Sequence, residues 1–113
     1  MDLNLVVLAG RIATEPEIRT FESGAVLVRL LLTVRSSNPH HRIDVVPVVQ
    51  WNPELDEIPE APLRGVAAWV AGSVQRRFWS VGDGRSSRIE VVAHEIAYRP
   101  DGIRIADEAP AAS

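Results

Sequence analysis

The sequence predicts an all-β domain, either a small barrel or a sandwich. Three observations predict it. Short β-prone apolar runs place alternate residues on one face. Glycine- and proline-bearing turns separate those runs. The length, 113 residues, is enough for one buried core and too little for two. Five or six strands fit that length, and closing them into a barrel removes exposed edges that few helices are available to cover. Periodicity alone leaves barrel and sandwich open.

The first run, residues 4–12, is apolar, with Gly10-Arg11 near its end. Thr14-Glu15-Pro16-Glu17 follows; Pro16 offers no N–H to a ladder and marks a turn or a sheet edge. Glu22-Ser23-Gly24 is a second turn. Residues 26–34 then alternate, with Val28, Leu30, Leu32 and Val34 on one face and Arg29, Leu31, Thr33 and Arg35 on the other. Residues 36–41 read as a loop holding His40 and His41, and 43–51 as a strand in which Pro47 implies an edge or a bulge. Three prolines and four acids make 52–63 a surface connection with room for one helical turn at 54–58.

A strand starting at Gly65 runs to Trp79. Trp69, Ala71, Ser73, Gln75, Arg77 and Trp79 share its outer face, whereas Val70, Gly72 and Val74 share its core face, and Phe78 has core parity. Gly82-Asp83-Gly84 turns the chain, since glycine reaches positive φ, and 88–98 is the next strand. Arg99-Pro100-Asp101-Gly102 is a turn after which 103–105 can pair back as a final hairpin, within the chain or with a neighbour. Residues 1–106 are expected to form one domain, and 107–113 a short flexible tail.

All twelve basic residues are arginine, and there is no cysteine. That excludes a disulfide scaffold, a cysteine zinc site and a thiol nucleophile. No apolar run approaches ~18 residues, so nothing spans a membrane as a helix, and the N-terminus lacks the basic segment of a secretory signal. A cytoplasmic protein is expected. The formal charge of −3 has the wrong sign for a simple basic nucleic-acid binder. It is an average, however: the connection at 53–62 holds four acids and no arginine, and six arginines face three acids from Arg64 to Arg99.

The run Asn4-Leu5-Val6-Val7-Leu8-Ala9-Gly10-Arg11-Ile12, then Glu15-Pro16-Glu17-Ile18-Arg19 and Ser23-Gly24, resembles the opening of bacterial single-stranded DNA-binding proteins. The likeness resumes at Ile43-Asp44-Val45-Val46, Trp51, Arg64-Gly65, Val70-Ala71-Gly72-Ser73-Val74, Arg77, Trp79, the glycine turn and Glu90-Val91-Val92-Ala93. Shared order and spacing carry it, since each piece alone is common. The resemblance implies an OB-fold, a five-stranded Greek-key barrel, and a homo-oligomer, most often a tetramer, alternatively a dimer. It also implies sequence-independent coating of single-stranded DNA in replication, repair or recombination, with a nucleoid-associated location and neither cofactor nor metal.

Such binding needs aromatic faces for stacking and cations along the phosphate path. Trp79, Trp51 and Arg77 match the family's contact positions. Arg29 and Arg35 lie opposite an apolar stripe, and Arg11 sits where the family is often polar or basic. Trp69 shares the outer face with Arg77 and Trp79, but a subunit contact suits it as well. DNA contact is therefore expected of Arg11, Arg29, Arg35, Trp51, Trp69, Arg77 and Trp79, each set against a plain packed or solvated role.

The departures are specific. The family commonly has an aromatic residue where this chain has Val45, and a basic one where it has Pro47. Its helix after the Trp51 region is replaced by the acidic, proline-broken stretch, which would repel DNA nearby. Its glycine-rich linker and acidic C-terminal tip are missing, so recruitment of repair proteins through that tip is not expected. Nothing nominates an enzyme: there is no phosphate-cradling glycine loop and no Ser, His and carboxylate in a recognisable motif. The alternative to DNA binding is a degenerate barrel that serves as an oligomerisation or protein-interaction module.

Overall fold

A computed structural model of the chain describes residues 1–60 and 62–100. It contains six strands: β1 (Val6–Ile12), β2 (Glu17–Thr20), β3 (Val26–Ser36), β4 (Arg42–Trp51), β5 (Ala67–Val81) and β6 (Gly84–Arg99). One 3-10 turn, Leu55–Glu57, lies in the proline-rich connection where a single helical turn is expected.

The sheet runs β1-β5-β6-β4-β3, and β1 closes it by turning from β5 to pair with β3 at Arg11 and Ile12. β2 flanks β3. Neighbours are antiparallel except β4 and β6, which run parallel at Val48 and Val49. This is the closed five-stranded barrel that the resemblance implies. Closure brings backbones together at Gly10, where a Cβ would collide with the carbonyl oxygen of Thr33.

Alternate residues of each strand fill the interior. Ile12, Leu30, Leu32, Val48, Ala68, Val70, Val91, Ala93, Ile96 and Tyr98 form one core. Each full-sized apolar side chain there contributes roughly 1.5–3 kcal/mol relative to exposure. The inward set of β6 shifts from Val91 and Ala93 to Ile96 and Tyr98 because of a bulge: Gly72 faces Ala93 but Ala71 faces Glu95, which leaves His94 unpaired. Pro47 sits mid-strand opposite Leu31, whose carbonyl accepts from the Ala13 N–H instead of from β4, and β6 joins β4 only at the next residue, Val48.

The proline-rich connection is tied to the barrel by Glu15. Its carboxylate accepts hydrogen bonds from the backbone N–H of Leu63 (2.7 Å) and of Arg64 (2.8 Å). These bonds, with the nearby Arg64 charge, hold its pKa below the ordinary carboxylate value despite some opposing desolvation.

Several expectations need correction. The fifth strand begins at Ala67, after Gly65 rather than on it. After Pro16, which marks a turn or a sheet edge, the chain takes the second of these: Glu17–Thr20 forms the flanking strand β2. Val74 and Phe78 are not core residues: they are 40% and 56% exposed, as β5 outruns the barrel. The hairpin expected at 103–105 and the tail at 107–113 lie outside the described residues.

Candidate nucleic-acid interface

The Gly82-Asp83 turn joins β5 to β6 and sets their register, with Gly82 supplying a φ of 56°. Val81 faces Gly84, Trp79 faces Ser86, Arg77 faces Arg88 and Gln75 faces Glu90. Cross-strand partners share a face, so these residues form one side of a hairpin arm. From Val74 outward the arm is exposed along β5.

On that side the Arg88 guanidinium lies 6.0 Å from the centroid of the Trp79 ring, within cation–π range. Arg29, projecting from the outer face of β3, joins them. Arg29, Arg77, Trp79 and Arg88 line a single cavity of about 200 Å³, and Trp79 stays 41% exposed and reachable from solvent.

Glu90 sits at the root of this cluster. It is 2% exposed, with Oε1 3.7 Å from Nη1 of Arg77. Glu90, Arg29 and Arg88 also line an adjoining cavity of about 440 Å³, against Leu31, Pro47 and Val49. The Arg29 Nε is buried without a hydrogen-bond partner among the described residues. Three guanidinium groups converge beside an accessible indole, with the buried Glu90 carboxylate at their root and the exposed Glu17, the strand partner of Arg29, on the same face, which still leaves one positive charge in excess. That combination suits a phosphate chain carrying stackable bases.

The other expected residues lie apart from this cluster. Trp51 stacks on Phe21, with centroids 5.7 Å apart and planes at 29°, and the Arg19 guanidinium lies 5.2 Å from the Phe21 ring. Arg35 lines a separate cavity with His41 and Arg42 at the β3–β4 hairpin tip. Trp69 faces Ala9 of β1 and Ala97 of β6, and lines a cavity with Glu95 and Arg99. Arg11 donates from Nη1 to the Gly65 carbonyl at 2.9 Å, which binds it to the barrel end. Among the described residues no three His, Asp or Glu side chains stand close enough to share a metal ion.

Arg88, Arg19 and Phe21 are additions to the residues expected from sequence. Arg88 was findable: a two-residue turn at Gly82-Asp83 forces Arg77 opposite Arg88 by counting alone. Phe21 lies beside a turn and off any strand alternation, so no periodic signal marks it.

Comparison with known proteins agrees with this geometry. The model of the "Single-strand binding protein family" matches residues 3–98. Single-stranded DNA-binding protein 1 of a Nostoc species is 32% identical over 71% of this chain and 67% of its own length. The single-stranded DNA-binding protein of Thermosynechococcus vestitus is 33% identical over 81% of this chain and 79% of its own. Among solved structures, a Plasmodium falciparum SSB complex with ssDNA superimposes with a TM-score of 0.72 at 21% identity, over 87% of this chain and 96% of that one. It has the same barrel fold. The closed barrel and the matched 3–98 segment together place this chain in the single-strand binding protein family.

Proposed function

We propose that the protein binds single-stranded DNA without sequence preference, through stacking on Trp79 and phosphate contacts from Arg29, Arg77 and Arg88. The convergence of those four side chains on one cavity carries this reading. Its relatives in Nostoc and Thermosynechococcus, named single-stranded DNA-binding proteins, point the same way. The net negative charge does not oppose it. The acidic connection enters β5 at Ala67, the end of that strand opposite to the one that holds Trp79.

Trp51, beside Phe21 and Arg19, offers a separate stacking surface, and Arg35 supplies a further cation at the β3–β4 tip. Arg11 acts mainly as a barrel strut. Trp69 suits a subunit contact better than DNA, because it shares the outer side of the β1–β5 sheet with Val7, which is 54% exposed. Leu3 and Leu5 extend the exposed apolar surface before β1. This exposed apolar face supports a homo-oligomer, which the family resemblance makes a tetramer before a dimer. The role is binding rather than catalysis, at the nucleoid.

Titration of the intrinsic tryptophan fluorescence with oligo-dT at several salt concentrations tests this. Quenching, with affinity falling as salt rises, is expected. No quenching and no gel retardation at low salt, with the oligomer intact, overturns it.

A further inference from the structure

The arm has a second side, turned away from Trp79. Successive strand residues point to opposite faces, so Val74, Arg76, Phe78 and Ser80 lie on the reverse of Gln75, Arg77 and Trp79. Across the hairpin, Val74 faces Val91, Arg76 faces Ile89, Phe78 faces Ser87 and Ser80 faces Arg85.

This side repeats the chemistry of the first. The Arg85 guanidinium lies 4.9 Å from the Phe78 ring centroid, as Arg88 does over Trp79 at 6.0 Å. Arg76 is oriented across the strands by a 2.9 Å hydrogen bond from Nη1 to the Ser87 hydroxyl. Phe78 and Ile89 are 56% and 51% exposed. The charged side chains on the two facing strand segments are Arg76 and Arg85, with no carboxylate, whereas the Trp79 side contains Glu90.

We infer that this reverse side is a second stacking and phosphate-binding surface for single-stranded nucleic acid, so that one strand passes around the arm and uses both faces. An exposed aromatic ring with two cations and no acid fits a polyanion carrying π-faces. A second copy of the chain is a poorer occupant, because Arg76 and Arg85 would meet their own like-charged counterparts in a symmetric contact. The inference rests on the proposed binding of single-stranded DNA and extends it to a longer footprint.

The test compares two lengths of oligo-dT, about 4 and about 16 nucleotides, the range that a single OB-fold covers. The proteins compared are the wild type, Phe78→Ala, Arg85→Gln and Trp79→Ala, with the oligomeric mass measured for each. Phe78→Ala should weaken binding of the longer oligonucleotide by about tenfold, in line with loss of one stacked base. It should leave the shorter one, seated on Trp79, within about twofold. Arg85→Gln should make the salt dependence of the longer oligonucleotide shallower by roughly 0.7 in the log–log slope. A Phe78→Trp variant should gain quenching with the longer oligonucleotide and not with the shorter.

If Trp79→Ala weakens binding while Phe78→Ala and Arg85→Gln leave it unchanged, the second surface is overturned and the first stands. A changed oligomeric mass in Phe78→Ala with unchanged DNA affinity assigns this side to a subunit contact and also overturns it. Failure of the wild type to bind either length removes both surfaces.

Discussion

Arg77 and Glu90 meet across the root of the arm, Nη1 to Oε1 at 3.7 Å, with the carboxylate 2% exposed and the guanidinium side chain half-exposed. A buried acid at the foot of a cationic surface offsets part of the charge offered to phosphate. It also gives Arg77 a partner that DNA must compete with. Glu90→Gln should therefore tighten oligo-dT binding at low salt and steepen the log–log salt slope by roughly 0.7, the increment for one further phosphate contact on a single strand. Weaker binding by this variant, at unchanged fold and mass, would show instead that Glu90 positions Arg77 for its contact.

Barrel closure makes its own demand at Gly10. A Cβ there meets the Thr33 carbonyl, whereas one at Gly24 meets nothing within 4 Å and suffers only from that residue's φ of 91°. Gly10→Ala should lower stability by about 1–3 kcal/mol, the usual range for overpacking. Gly24→Ala should cost about 1–2 kcal/mol, from the left-handed backbone alone. Urea midpoints of the two variants check the order; a milder Gly10→Ala would mean that β1 and β3 can part without loss.

The outer row of β5 was legible from residue parity, and so was the apolar stripe of β3 that turns Arg29 outward. The distance by which β5 and β6 outrun the barrel was not. Parity separates the two faces of a strand, but only the shear of the closed sheet determines where the inward face stops being inside. Phe78 and Val74 were therefore expected in a core that ends before them. The β6 bulge at His94 was hidden for a related reason: an extra residue reverses parity without changing composition. Which of the seven expected residues converge was hidden too, since Arg11 and Trp69 obey the same alternation as Arg77 and lie elsewhere on the barrel.

Acid should loosen the tie between the β1–β2 loop and the proline-rich connection. The Glu15 pKa is lowered from its ordinary value of 4.5 by the N–H groups of Leu63 and Arg64. A carboxylate with a depressed folded-state pKa contributes stability above its unfolded value and loses it as pH falls through the folded one. Wild-type stability should thus decline as pH drops below about 4.5, and Glu15→Gln should flatten that decline while being less stable at pH 7. Equal acid sensitivity in both proteins would mean that other carboxylates govern the transition.

The most direct measurement is the affinity of oligo-dT for the wild type and for the Trp79→Ala, Arg77→Ala double variant, with the oligomeric mass of each determined alongside. Loss of one stacked base and one phosphate contact should weaken binding by at least about tenfold and flatten the salt slope, with the mass unchanged. Undiminished affinity, or a changed oligomer in place of weakened binding, would contradict the assignment of this side of the arm to single-stranded DNA.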